Sequence, residues 1–94
     1  MNLPQTLTLE GEHARLELAR LLARRLERLS ADSLWARRAS GARGELLKLL
    51  EEEGEGLPAE PGARRAYFAR LQASMDWGFS LLARAAREYD PPDL

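Results

Sequence analysis

The sequence predicts an all-α protein, and three observations carry that prediction. Val and Ile are absent from all 94 residues, and a sheet without either would lack the side chains that best fit a pleated surface. Ala, Leu, Glu and Arg, all good helix formers, dominate instead. Apolar residues also recur at steps of three and four along three long segments, the period of a helix with one buried face. The expected architecture is a single domain over residues 1–94. It is a small antiparallel three-helix bundle or a long helical hairpin with a docked helix, self-associating as a dimer.

Residues 1–8 read as an N-terminal arm containing Pro4, with Thr8 placed to cap the first helix. That helix is expected over residues 9–29, with Glu10 and Glu12 near its positive end. Its apolar positions are Ala14, Leu16, Leu18, Ala19, Leu21, Leu22, Ala23, Leu26 and Leu29. They spread over roughly 220° of the helix circumference, wider than one core-facing stripe. Such breadth predicts contact on two sides, with the helix's own bundle and with a second subunit.

Asp32 is a suitable N-cap for a second helix over residues 33–53. Trp35, Ala39, Ala42, Leu46 and Leu49 follow one another at steps of 4-3-4-3, the spacing of a packed seam. Ala36, Ser40, Gly44 and Leu47 lie beside that seam, and Gly41 with Gly44 makes a kink conceivable. Glu51, Glu52 and Glu53 fall at the helix's negative end and read as a solvated tip. Gly54 is expected to stop the helix. Residues 54–61, rich in Gly and Pro, form the linker.

The third helix is expected over residues 62–89, with Pro61 at its entry and Pro91 and Pro92 beyond its end, leaving 90–94 as a tail. Its apolar face reads Tyr67, Phe68, Leu71, Met75, Phe79, Leu81, Leu82, Ala85, Ala86 and Tyr89, with Ser74 and Gly78 in the middle. At about 1.5 Å per residue it would span some 40 Å, long for a lone bundle of this size.

Ser40-x-x-x-Gly44 and Ser74-x-x-x-Gly78 repeat one small-residue step on two helices. Residues four apart share a helix face, so each pair strips bulk from one stripe and lets a neighbouring backbone approach. A close crossing of Ser40 and Gly44 against Ser74 and Gly78 is expected, within or between subunits. Trp77 projects off its helix's apolar stripe and is the best single pointer to an interface, since aromatic side chains concentrate at the centres of protein contacts. Trp35 opens the helix-two seam and joins the expected helix-crossing set.

The net charge is −1, so no global field draws the chain to nucleic acid or an anionic membrane. Of its 14 basic residues all but Lys48 are Arg, a bias that fits a GC-rich genome. The absence of Cys and the scarcity of Asn and Gln resemble a thermophile's composition. Without Cys there is neither a disulfide framework nor a thiolate metal site. No apolar run reaches the length of a membrane span and no signal peptide is visible, so a cytoplasmic location without membrane contact is expected.

Catalytic residues, a cofactor and a metal are not expected. His13 is the only histidine, and Glu10 with His13 makes the Glu-x-x-His half-motif of helical di-iron proteins, but both fall on the charged face of helix one. Arg37, Arg38 and Arg43 surround the Gly41–Gly44 stretch and would hold an anion or nucleic acid if the helix broke there. The function expected is a non-catalytic protein–protein interaction or assembly module, acting as a homo-oligomer with an unknown protein partner. Arg-mediated anion or nucleic-acid binding is the alternative, and metal binding through His13 a weaker one.

Overall fold

The computed structural model describes residues 8–29 and 34–89, which form three helices: α1 (Leu9–Glu27), α2 (Leu34–Gly54) and α3 (Pro61–Tyr89). Three of the helix ends have a local cause that the structure shows. The Thr8 hydroxyl accepts a 2.9 Å hydrogen bond from the Gly11 amide, so Thr8 caps α1 as expected. The α1 helix ends at Glu27, two residues earlier than its apolar pattern suggests. The expected Asp32 cap lies outside the described residues.

The α2 helix runs through Gly41 and Gly44 without a break for 21 residues. Gly54 is its last residue, but the reversal of backbone hand comes two residues later. Gly56 has φ +115°, a conformation that L side chains rarely adopt, and its amide bonds the Glu53 carbonyl at 3.0 Å. Pro61 occupies the first position of α3, where its missing N–H costs nothing. One Glu60 carboxylate oxygen accepts the Ala63 amide at 2.7 Å and caps that helix.

The three helices contact one another pairwise. Contacts between α1 and α2, and between α2 and α3, run in opposite chain directions: Arg20 meets Glu53 and Arg43 meets Glu27, while Tyr67 meets Leu49 and Trp77 meets Gly41. Between α1 and α3 they advance together, Glu12 with Arg64, Arg15 with Gln72, and Leu22 and Leu26 with Gly78. The result is an up-down-up three-helix bundle in which α1 and α3 are parallel. Of the two architectures expected, the bundle is the one formed.

The core lies along the common axis. All five seam residues of α2 are buried: Trp35, Ala39, Ala42, Leu46 and Leu49. They meet Leu16, Ala19, Leu22, Ala23 and Leu26 of α1 and Tyr67, Phe68, Leu71, Met75, Leu81 and Ala85 of α3. Leu22, Leu46, Leu49, Leu71 and Met75 are fully enclosed, and truncating any of them to Ala would cost about 2–5 kcal/mol.

Among the described side chains of the expected α3 face, two are neither in this core nor packed against it; the Tyr89 side chain lies outside the described residues. Phe79 is 41% exposed and Ala86 faces solvent. Both lie on the flank of α3 that turns toward α1. Since α1 already has Leu22 and Leu26 level with Gly78 and ends at Glu27, it stops about one turn short of Ala86.

Candidate functional site

The expected crossing of Ser40 and Gly44 with Ser74 and Gly78 does not form within the chain. Ser40 and Gly44 are both exposed, and a Cβ added at Gly44 would meet nothing within 4 Å. On α3 the expectation about phase is met, because Ser74 and Gly78 face inward and are buried. Gly78, however, serves the α1 contact. A Cβ built there would lie 3.0 Å from Leu22 Cδ2 and 3.2 Å from Leu26 Cδ1, so α1 comes this near only because residue 78 has no side chain.

The small residue that α3 does meet on α2 is Gly41. Its Cβ position lies 3.6 Å from Cη2 of Trp77, ordinary van der Waals contact, so the indole edge rests on the exposed flank of α2. Trp77 itself is 46% exposed. It therefore straddles the α2–α3 boundary. Trp35, by contrast, is enclosed in the core, with its indole N–H unpartnered and the Arg38 guanidinium 5.1 Å from its ring centroid.

The three arginines around Gly41 do not converge. Because α2 is continuous, Gly41–Gly44 offers no loop of free amides to cradle an anion. Arg38 stacks on Trp35, and Arg43 reaches Glu27 at 3.7 Å. Arg37 is exposed. Successive residues are turned by about 100°, so Arg37, Arg38 and Arg43 point in three different directions.

The acidic end of α2 is not simply solvated. Glu53 accepts a 2.9 Å bond from Arg20 of α1, and Glu52 a 3.3 Å bond from Arg70 of α3. Two arginines from flanking helices thus offset carboxylates that would otherwise oppose the helix dipole. Beneath them the buried Tyr67 hydroxyl donates to the Leu49 carbonyl at 2.6 Å. Burial, and then the Glu53 and Glu52 charges, push the Tyr67 phenol above its ordinary value.

The most enclosed ion pair was not anticipated. Glu12 is only 8% exposed, and its carboxylate receives both the Nε (2.8 Å) and an Nη (2.6 Å) of Arg64. Arg64 also donates to the Pro58 carbonyl at 3.0 Å, tying the first turns of α1 and α3 to the linker. The guanidinium bonds hold the Glu12 carboxylate below its ordinary range, against the opposing effect of burial. A signal was present: Glu12 continues the buried series Leu16, Ala19, Ala23 and Leu26 at steps of 4-3-4-3. Its place in the first turn instead suggested a partner for the helix dipole.

His13 and Glu10 are both exposed on α1. Among the described residues, no group of three or more His, Cys, Asp or Glu side chains is arranged to hold a metal ion, and no helix is long and apolar enough to cross a membrane. The exposed large apolar side chains among the described residues are Leu9, Leu18 and Leu21 of α1, Leu47 of α2, and Phe79 and Trp77 on opposite flanks of α3; Leu18, Leu21 and Phe79 are each 41% exposed. Comparison of the chain with protein-family models, with curated proteins and with solved structures finds no match.

Proposed function

We propose that this chain is a non-catalytic protein–protein interaction or assembly module that works as a self-associating unit. One observation carries the reading. The α1 helix already spends Leu16, Ala19, Leu22, Ala23 and Leu26 on the core, yet it presents Leu18 and Leu21 to solvent on another side. Leucines are not needed there to fold the monomer, and clustered exposed apolar side chains mark association surfaces. Phe79 and Trp77 add exposed aromatic area, the residue class enriched where proteins meet.

The Arg-mediated alternative has weaker support. Of its three arginines, one is stacked on an indole and one is paired with a carboxylate, on a chain of net charge −1. Size-exclusion chromatography with light scattering over a wide concentration range tests the proposal. A mass rising toward twice 10.6 kDa is expected. A monomer at every concentration, with nucleic acid bound in a salt-sensitive way, would overturn it in favour of the alternative.

A further inference from the structure

The exposed side of α1 has an order of its own. Gly11, Ala14, Leu18, Leu21, Arg25 and Arg28 follow one another at steps of 3-4-3-4-3, a second seam offset around the helix from the buried one. Ala14, Leu18, Leu21, Arg25 and Arg28 are all exposed. Phe79 widens this strip on the α3 side. It lies seven residues beyond Gln72, hence on the same flank of α3, and Gln72 bonds Arg15 of α1, three residues before Leu18.

The charges beside the strip are divided along the helix. Exposed Glu10 and Glu17 occupy the N-terminal half, while exposed Arg24, Arg25 and Arg28 occupy the C-terminal half. Glu10, Glu17 and Arg24 are spaced by sevens, so they form one row along the edge of the seam. Such a row is complementary to itself turned end for end. Glu17 now bonds Arg20 at 3.0 Å, but Arg20 also holds Glu53 at 2.9 Å and keeps a partner if Glu17 turns away.

Resting on the self-association proposed above, we infer that the occupant of this strip is a second copy of the chain, with the two α1 helices packed antiparallel about a two-fold axis between Leu18 and Leu21. In that register Leu18 of each protomer faces Leu21 of the other, and Ala14 lies under the stem of Arg25. In an antiparallel pair the same edge of each helix meets itself, so Glu17 faces Arg24 twice, once on each side of the axis. Glu10 approaches Arg28 at the ends. The strip is one helix wide, about 10 Å, and about 25 Å long, hence roughly 250 Å². That is well below the ~800 Å² per partner of a standard interface, which makes this a weak, reversible dimer.

Two sets of variants test the register, with circular dichroism confirming that each remains folded. Sedimentation of the parent from about 1 μM to about 1 mM should show a monomer–dimer equilibrium. Glu17→Arg alone and Arg24→Glu alone each set like charges opposite one another twice and should weaken dimerisation at least about tenfold. Mixing those two variants restores both attractions and should restore the dimer. The natural chain lacks Cys, so Glu10→Cys mixed with Arg28→Cys should give an oxidised heterodimer, with little product from either alone. Strong self-cross-linking of Glu10→Cys would mean parallel helices and overturn the inference. Dimerisation unchanged by either charge variant would overturn it too, while leaving self-association intact. A parent monomeric throughout would overturn this register and the assembly reading together.

Discussion

Alanine at Gly44 and alanine at Gly78 should move stability in opposite directions, although both glycines sit inside long helices in the same sequence context. At Gly44 the added methyl group meets nothing within 4 Å and the backbone is ordinary helix, so only the intrinsic preference acts. That preference favours Ala by about 0.8–1 kcal/mol. At Gly78 the same gain is opposed by contact. The new Cβ would lie 3.0 Å from Leu22 Cδ2 and 3.3 Å from Leu22 Cγ, and Leu22 and Leu26, 1% and 2% exposed, can yield only by moving into the buried core around them. Overpacking of this kind costs about 1–3 kcal/mol, leaving Gly78→Ala less stable by about 1 kcal/mol. For a domain of this size the melting temperatures should rise by about 3–8 °C for Gly44→Ala and fall by a similar amount for Gly78→Ala. Thermal and urea melts of the two variants beside the parent provide the measurement. Equal stabilisation by both substitutions would refute the close α1–α3 approach, and destabilisation at Gly44 would refute its placement on an open face.

Ser74→Ala should stabilise the protein by about 1 kcal/mol, read from the urea midpoint, because the Ser74 hydroxyl is buried without a hydrogen-bond partner. Tyr67→Phe should cost about 1 kcal/mol through loss of the 2.6 Å bond to the Leu49 carbonyl. Since the Tyr67 phenol is raised in the folded state, its stabilising effect is present below its unfolded value of 10.0 and fades above it. The Phe variant should therefore resist alkaline unfolding better than its neutral stability suggests. Glu12 has the opposite sign. Its carboxyl is depressed by Arg64, so the pair stabilises the fold above the ordinary value of 4.5 and is lost as pH falls through the lower folded value. Glu12→Gln should be less stable at neutral pH, with the gap to the parent closing in acid; an unchanged gap in acid melts would remove the pair from the account.

The parts of the fold that were legible share one property: several apolar residues agree on a single phase. The α2 seam from Trp35 to Leu49 is of this kind, and every member is buried. The Ser40–Gly44 step carried no such agreement. A pair of small residues states that a close approach is permitted on one face, and it is silent on where that face points. The expectation that Ser40 and Gly44 lie beside the Trp35–Leu49 seam misplaced them: measured at about 100° per residue from its centre they fall on the far side of the helix, and the structure leaves both exposed. Ser74 and Gly78 interrupt the Tyr67–Leu71–Met75 stripe and inherit its inward phase. The Glu12–Arg64 pair and the Glu52 and Glu53 pairs were not legible, because each joins residues distant in the chain whose meeting depends on the order of helices around the axis. That order is fixed by packing of the assembled core, not by any local pattern.

Parallel α1 and α3 set the first described residue and the last at opposite poles of the bundle. Their separation is close to the length of α3, on the order of 40 Å. A segment leading from Tyr89 back to Thr8 of the same copy would have to cover that length along the outside of the molecule, at least about 12 extended residues. A segment leading from Tyr89 of one copy to Thr8 of another has no such distance to retrace, so the two poles of the helical core favour head-to-tail connection over closure on itself.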